Sequence, residues 1–155
     1  MQKVSHNYKI TIISLSSPLL IGLYLDDILI KSLSSNKKTS EGLLDIVKDL
    51  IDKYEIKEII YANGPGSYMA IKLTYIMLET INIIKDIPIK ASSAFEFNDN
   101  KPIKAMGNLY FIKEKETIIT QKFTEAVNME YTLPKSIKDL KLEESNQPDY
   151  RLPAV

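Results

Sequence analysis

No cysteine occurs among the 155 residues of the chain. That excludes a disulfide framework and any thiolate-ligated metal, and it suits a reducing compartment, so a cytoplasmic protein is expected. Histidine is nearly as scarce, with His6 the single one, ahead of the first strand-like run. A zinc site would need carboxylates almost alone, and a serine triad would have to draw on His6 without a Gly-x-Ser-x-Gly elbow. Excess charge of either sign is missing too, with 20 basic against 20 acidic side chains. Proteins that grip nucleic acid unaided rely on a basic surplus, because phosphate neutralisation dominates their affinity. Long apolar runs are also lacking: Ile10–Ile13 and Pro18–Leu25 stop well short of the roughly 20 residues a membrane span needs. Met1–Lys9 is polar and carries no apolar signal core, so neither membrane insertion nor secretion is expected.

What is present suffices for a folded α/β protein. Hydrophobic residues make up 45% of the chain, enough for a core without covalent staples. Lys9–Ser16 is β-branched and reads as a buried strand, Leu19–Leu25 resumes after Pro18, and Ile28–Leu33 follows a turn at Asp26-Asp27. These predict an antiparallel meander. Ser40 is the expected N-cap of a helix in which Leu43, Ile46, Val47, Leu50, Ile51 and Tyr54 recur at helical spacing. Asp45, Asp49 and Asp52 then occupy its solvated face. Glu58–Ala62 reads as a buried, parallel strand ending in the turn Asn63-Gly64-Pro65-Gly66.

Ser67 can cap a second helix running to about Lys85, and this helix carries two apolar stripes. One holds Met69, Leu73, Ile76, Met77, Ile81 and Ile84; the other holds Tyr68, Ile71, Tyr75 and Leu78. A helix on a sheet needs one apolar face, so the second implies a partner surface or cover from within the chain. The first helix or the carboxy-terminal segment would supply that internal cover. Further on, Ile87–Lys90 predicts a strand, Ala91–Phe97 a helical turn, and Asn98–Lys101 a polar break between lobes. Asn108–Lys113 and Thr117–Phe123 predict a hairpin, Ser136–Leu142 a short helix, and Gln147–Val155 an extended tail.

The one loop with the look of a ligand site is Asn63–Ser67, where Gly64, Gly66 and Ser67 stand at a strand-to-helix junction. It matches neither the Walker pattern nor Gly-x-Gly-x-x-Gly, and Pro65 removes an amide donor. A structural turn is the main reading and phosphate binding the alternative. Asp26-Asp27 reads as a solvated turn in preference to a metal site.

Tyr61–Lys72 resembles the Gly-Pro-Gly-Ser-Phe-Thr-Gly-Leu-Arg signature of the TsaB (YeaZ) family. Lys9–Leu25 is similar to that family's opening strand pair and Thr39–Tyr54 to its first helix. Pro88–Phe97, Ala105–Phe111 and, more loosely, Pro148–Arg151 also have counterparts. The departures are specific. Ser14-Leu15-Ser16 stands where the family has Asp-Thr-Ser, Tyr68-Met69-Ala70 replaces Phe-Thr-Gly, and Lys72 replaces the arginine.

The resemblance implies an actin-like ATPase (ribonuclease H-like) α/β lobe with a mixed sheet and two packed helices, over residues 1–97. A reduced second lobe and tail follow over residues 98–155. It further implies a non-catalytic scaffold with no cofactor and no metal. Its partner is the paralogue TsaD, with TsaE joining the complex, tRNA reached only through that complex, and a homodimer when alone. Tyr68, Ile71, Lys72, Tyr75, Leu78 and Glu79 are the partner-binding residues expected on this reading. The alternative is a minimal actin-like nucleotide-binding enzyme.

Overall fold

The computed structural model describes residues 6–151; Met1–Ser5 and the last four residues lie outside it, with the expectations that fall on them. Three consecutive strands, β1 (Tyr8–Ile13), β2 (Leu19–Leu25) and β3 (Ile28–Ser35), form the expected antiparallel meander. Asp26 and Asp27 both take positive φ, the geometry of a tight two-residue hairpin turn, and Asp27 pairs with Lys9 at 3.1 Å. Helix α1 (Thr39–Lys53) leads to β4 (Ile56–Ala62), and α2 (Tyr68–Lys85) leads to β5 (Ile89–Ser92). Both β4 and β5 run parallel to β1, giving the sheet order β3-β2-β1-β4-β5. A short 3₁₀ turn (Ala94–Phe97) precedes a second, antiparallel sheet of β6 (Ile103–Met106), β7 (Leu109–Glu114) and β8 (Thr117–Lys122).

Strand alternation divides the core. Ile10, Ile12, Ile21, Leu23, Ile59 and Tyr61 point to one face of the large sheet, where Leu43, Val47, Leu50, Leu78 and Ile81 of the two helices cover them. The other face is covered by chain without regular structure. Tyr24 and Ile60 pack on Ile137 and Leu140, while Ile13 and Ala62 pack toward Phe97, Phe111 and Leu133. The segment after β8 therefore returns to the first sheet. Gly22 permits this close approach, since a Cβ there would lie 2.8 Å from the Tyr24 ring and 3.2 Å from Leu133.

Several expectations are corrected. Residues 136–142 form no helix. The Ile137 amide donates to Asp27 O and the Leu29 amide to Lys135 O, so the backbone here serves β3 instead of coiling on itself. The N-cap of α1 is Lys38, without a side-chain cap, and Ser40 lies inside the helix. The strand expected at Ile87–Lys90 lies two residues later, as β5, and β6 had too short a pattern to be foreseen.

Candidate functional site

The Asn63–Ser67 loop joins β4 to α2, and Asn63, Gly64 and Ser67 are bonded within the chain. The Asn63 amide donates to Ser92 O, Ala94 N donates to Gly64 O, and Asp149 N donates to Asn63 O. The Asn63 side chain donates through Nδ2 to Gln147 O at 2.9 Å. Gly64 has φ +121°, and the Gly64–Pro65 peptide is cis. Ser67 accepts from Ala70 N and caps α2, as expected. Gly64, one of the weak ligand candidates, thus faces the chain's own Asp149 at contact distance.

Helix α2 presents four sides, because about 100° separates successive residues. Ile71, Thr74, Leu78 and Ile81 are buried and face the sheet. Met77 and Ile84, with Leu44 and Ile51 of α1, line a groove of about 440 Å³ between the two helices. Tyr68, Tyr75 and Glu79 meet the returning carboxy-terminal segment. Gln147 Nε2 donates to Tyr75 Oη at 2.9 Å, Asn146 Nδ2 donates to Glu79 at 3.3 Å, and the Tyr150 ring lies 4.7 Å from that of Tyr68. Tyr61, under the same segment, donates from Oη to Asn146 O at 2.6 Å. Burial first, then Tyr75, Tyr150 and Glu79, push its phenol well above the usual tyrosine range, which keeps it a donor.

The fourth side of α2 is uncovered. Met69 is 57% exposed, Ile76 51%, Ile83 79% and Ile84 69%, with Leu73 and the neighbouring Leu44 of α1 also open. Large apolar side chains grouped on one helix face mark a contact surface more than scattered ones do. Each expected stripe is thus split: Ile81 of the first is buried with Ile71 and Leu78 of the second, while Met69, Leu73, Ile76 and Ile84 of the first are exposed. Ile71 and Leu78 were expected at the centre of a partner contact, but they are 1% and 0% exposed within their own chain. Tyr68, Tyr75 and Glu79 are half-buried under the tail, and of that set only Lys72 is exposed, its ammonium 5.8 Å over the Tyr68 ring. Ile83, which belonged to neither expected stripe, is the most exposed of these apolar residues; it could have been found by extending the Met69–Leu73–Ile76 line by a further two turns.

Among the described residues no three of His, Cys, Asp or Glu are grouped to hold a metal ion, and His6 is exposed at the edge of the Tyr8 ring. Asp45, Asp49 and Asp52 lie on the exposed side of α1, Asp49 pairing with Lys53. A second pocket of about 440 Å³ opens at the end of β1, where Ser14, Ser16, Lys37, Lys38 and Ser67 come together with Met69 and Leu73. Ser14, at the position where the family carries aspartate, is bonded to Thr39 Oγ1 at 2.8 Å.

Comparison with solved structures decides the fold. YeaZ from Pseudomonas aeruginosa matches over 81% of this chain and 66% of its own, with TM-score 0.58 and 12% identity. The chain shares the fold of YeaZ. A second structure, of an uncharacterized protein with similarity to peptidase YEAZ from Pseudomonas aeruginosa, matches over 79% of this chain and 65% of its own, at TM-score 0.55 and 13% identity. The chain thus spans just under two thirds of the length of both. No protein-family model and no curated protein matches it. Among the described residues no helix is long and apolar enough to cross a membrane.

Proposed function

We propose that this chain is a non-catalytic scaffold subunit of the TsaB type, docking through α2 and α1 onto a TsaD paralogue. In that assembly, with TsaE, a threonylcarbamoyl group is placed on the adenosine next to the anticodon of tRNA. The observation that carries the reading is the uncovered apolar side of α2, continuous with the groove shared with α1. The YeaZ-like fold and the sequence signature at the head of the same helix support it. Balanced charge fits a subunit that meets tRNA only through its partners. A contact centred on Met69, Leu73 and Ile76 would be of ordinary size, roughly 800 Å² per partner. In the partner's absence the same side pairs with a second copy.

Co-expression with the same organism's TsaD followed by size-exclusion chromatography tests this. The wild-type chain co-elutes with TsaD, and Ile76→Glu elutes alone while keeping its circular dichroism spectrum. Co-elution of Ile76→Glu at wild-type strength would refute the reading.

A second reading, a minimal nucleotide-binding enzyme, is favoured by the pocket at the end of β1 with its serines and Lys37 and Lys38. Calorimetry of the isolated chain with ATP and magnesium separates the two. Binding with turnover supports the enzyme; absence of heat supports the scaffold.

A further inference from the structure

The returning segment is held in two physically different ways. Through residues 127–140 apolar burial holds it, with Leu133 and Ile137 in the core and Met129, Tyr131 and Leu140 packed against it. From Lys141 to Ser145 every residue is exposed, and no side chain of residues 141–150 belongs to a core cluster. Polar contacts hold this second part. Ser92 Oγ donates to Lys141 O at 2.7 Å, Glu143 N to Ala91 O at 2.8 Å, and Asp149 N to Asn63 O at 2.8 Å. Gln147 and Asn146 reach Tyr75 and Glu79, and Tyr150 lies on Tyr68.

Segments with few buried apolar contacts open at lower free energy than the core they lie on. The side of α2 they cover adjoins the free side: Tyr68, Tyr75 and Glu79 lie about 90° around the helix from Met69, Ile76 and Thr80. We propose that residues 141–150 form a strap that opens independently of the rest of the fold. Closed, it withholds the tyrosine edge of α2 from a partner seated on the neighbouring apolar side. The withholding rests on the docking role proposed above; the independent opening does not.

Hydrogen exchange of the full chain, followed amide by amide by NMR, tests both parts. The Glu143 and Asp149 amides exchange at least about tenfold faster than that of Ile137, in the apolar-held part, and that of Leu29, which donates to Lys135 O of the same part. Gln147→Ala with Tyr150→Ala raises exchange at Glu143 and Asp149 and leaves Leu29 and Ile137 unchanged. Exchange of all four amides in step would overturn the strap. With TsaD bound, faster exchange at Glu143 and Asp149 supports withholding, and unchanged or slower exchange refutes it. If TsaD does not bind at all, withholding falls together with the docking role, while the rates of the free chain still decide the strap.

Discussion

Gly64 and Asp149 meet backbone to backbone: a Cβ on Gly64 would sit 2.7 Å from the Asp149 carbonyl oxygen, and Gly64 has φ +121°. The glycine of the signature loop therefore serves close approach by the chain's own tail. Gly64→Ala combines an unfavourable φ with a clash against backbone that cannot rotate away. It costs about 1–3 kcal/mol, measured as a lower urea midpoint, and it frees the Asp149 amide to exchange. Unchanged stability would mean that the loop relaxes without strain.

Leu78 and Ile76 lie two residues apart on α2, the first buried and the second half in solvent. Leu78→Ala costs about 2–5 kcal/mol through the cavity it leaves, whereas Ile76→Ala stays within about 0.5 kcal/mol of wild type. Urea unfolding of the two variants checks this. Equal losses would mean that the free side of α2 is covered in solution.

Lys38 occupies the N-cap of α1 without a side-chain bond to the helix amides. Lys38→Asp supplies an acceptor for the first turn and a charge of favourable sign, so it stabilises by about 0.5–1 kcal/mol. Thermal unfolding reads the gain as a higher midpoint; a lower one would show that the lysine has another role at the neighbouring pocket.

Burial raises the phenol pKa of Tyr24, Tyr61 and Tyr131. Tyr24 and Tyr61 also donate to carbonyls, those of Pro134 and Asn146. In the unfolded chain these phenols lose their protons near pH 10, while in the folded chain they hold them, so the unfolded state binds fewer protons above that pH. The contribution of these three phenols to stability is therefore constant below about pH 10 and falls above it. Ultraviolet titration of the native chain shows at least three of the nine tyrosines ionising late, together with unfolding. Nine phenols titrating freely near pH 10 would contradict the burial of these three.

The regular elements were legible because their signals are local. Alternation in Lys9–Leu25, the two-residue Asp26-Asp27 turn and helical spacing in Leu43–Tyr54 each state their own geometry. Residues 136–142 were misread for the complementary reason. The Ile137 amide bonds to Asp27 O and the neighbouring Lys135 carbonyl accepts from Leu29 N, more than 100 residues away, and no local pattern encodes that.

The sequence alone determined that α2 carries apolar residues on more than one side, and that charge, cysteine and histidine offer little to chemistry. Periodicity fixes the angle between two stripes on a helix but not which of them turns toward the sheet. Tertiary structure decided that. Ile71 and Leu78 pack against the sheet, the segment ending at Tyr150 covers the tyrosine edge, and Met69, Leu73, Ile76 and Ile83 are left to solvent. Burial is a property of the whole chain, settled by which elements cover each apolar surface.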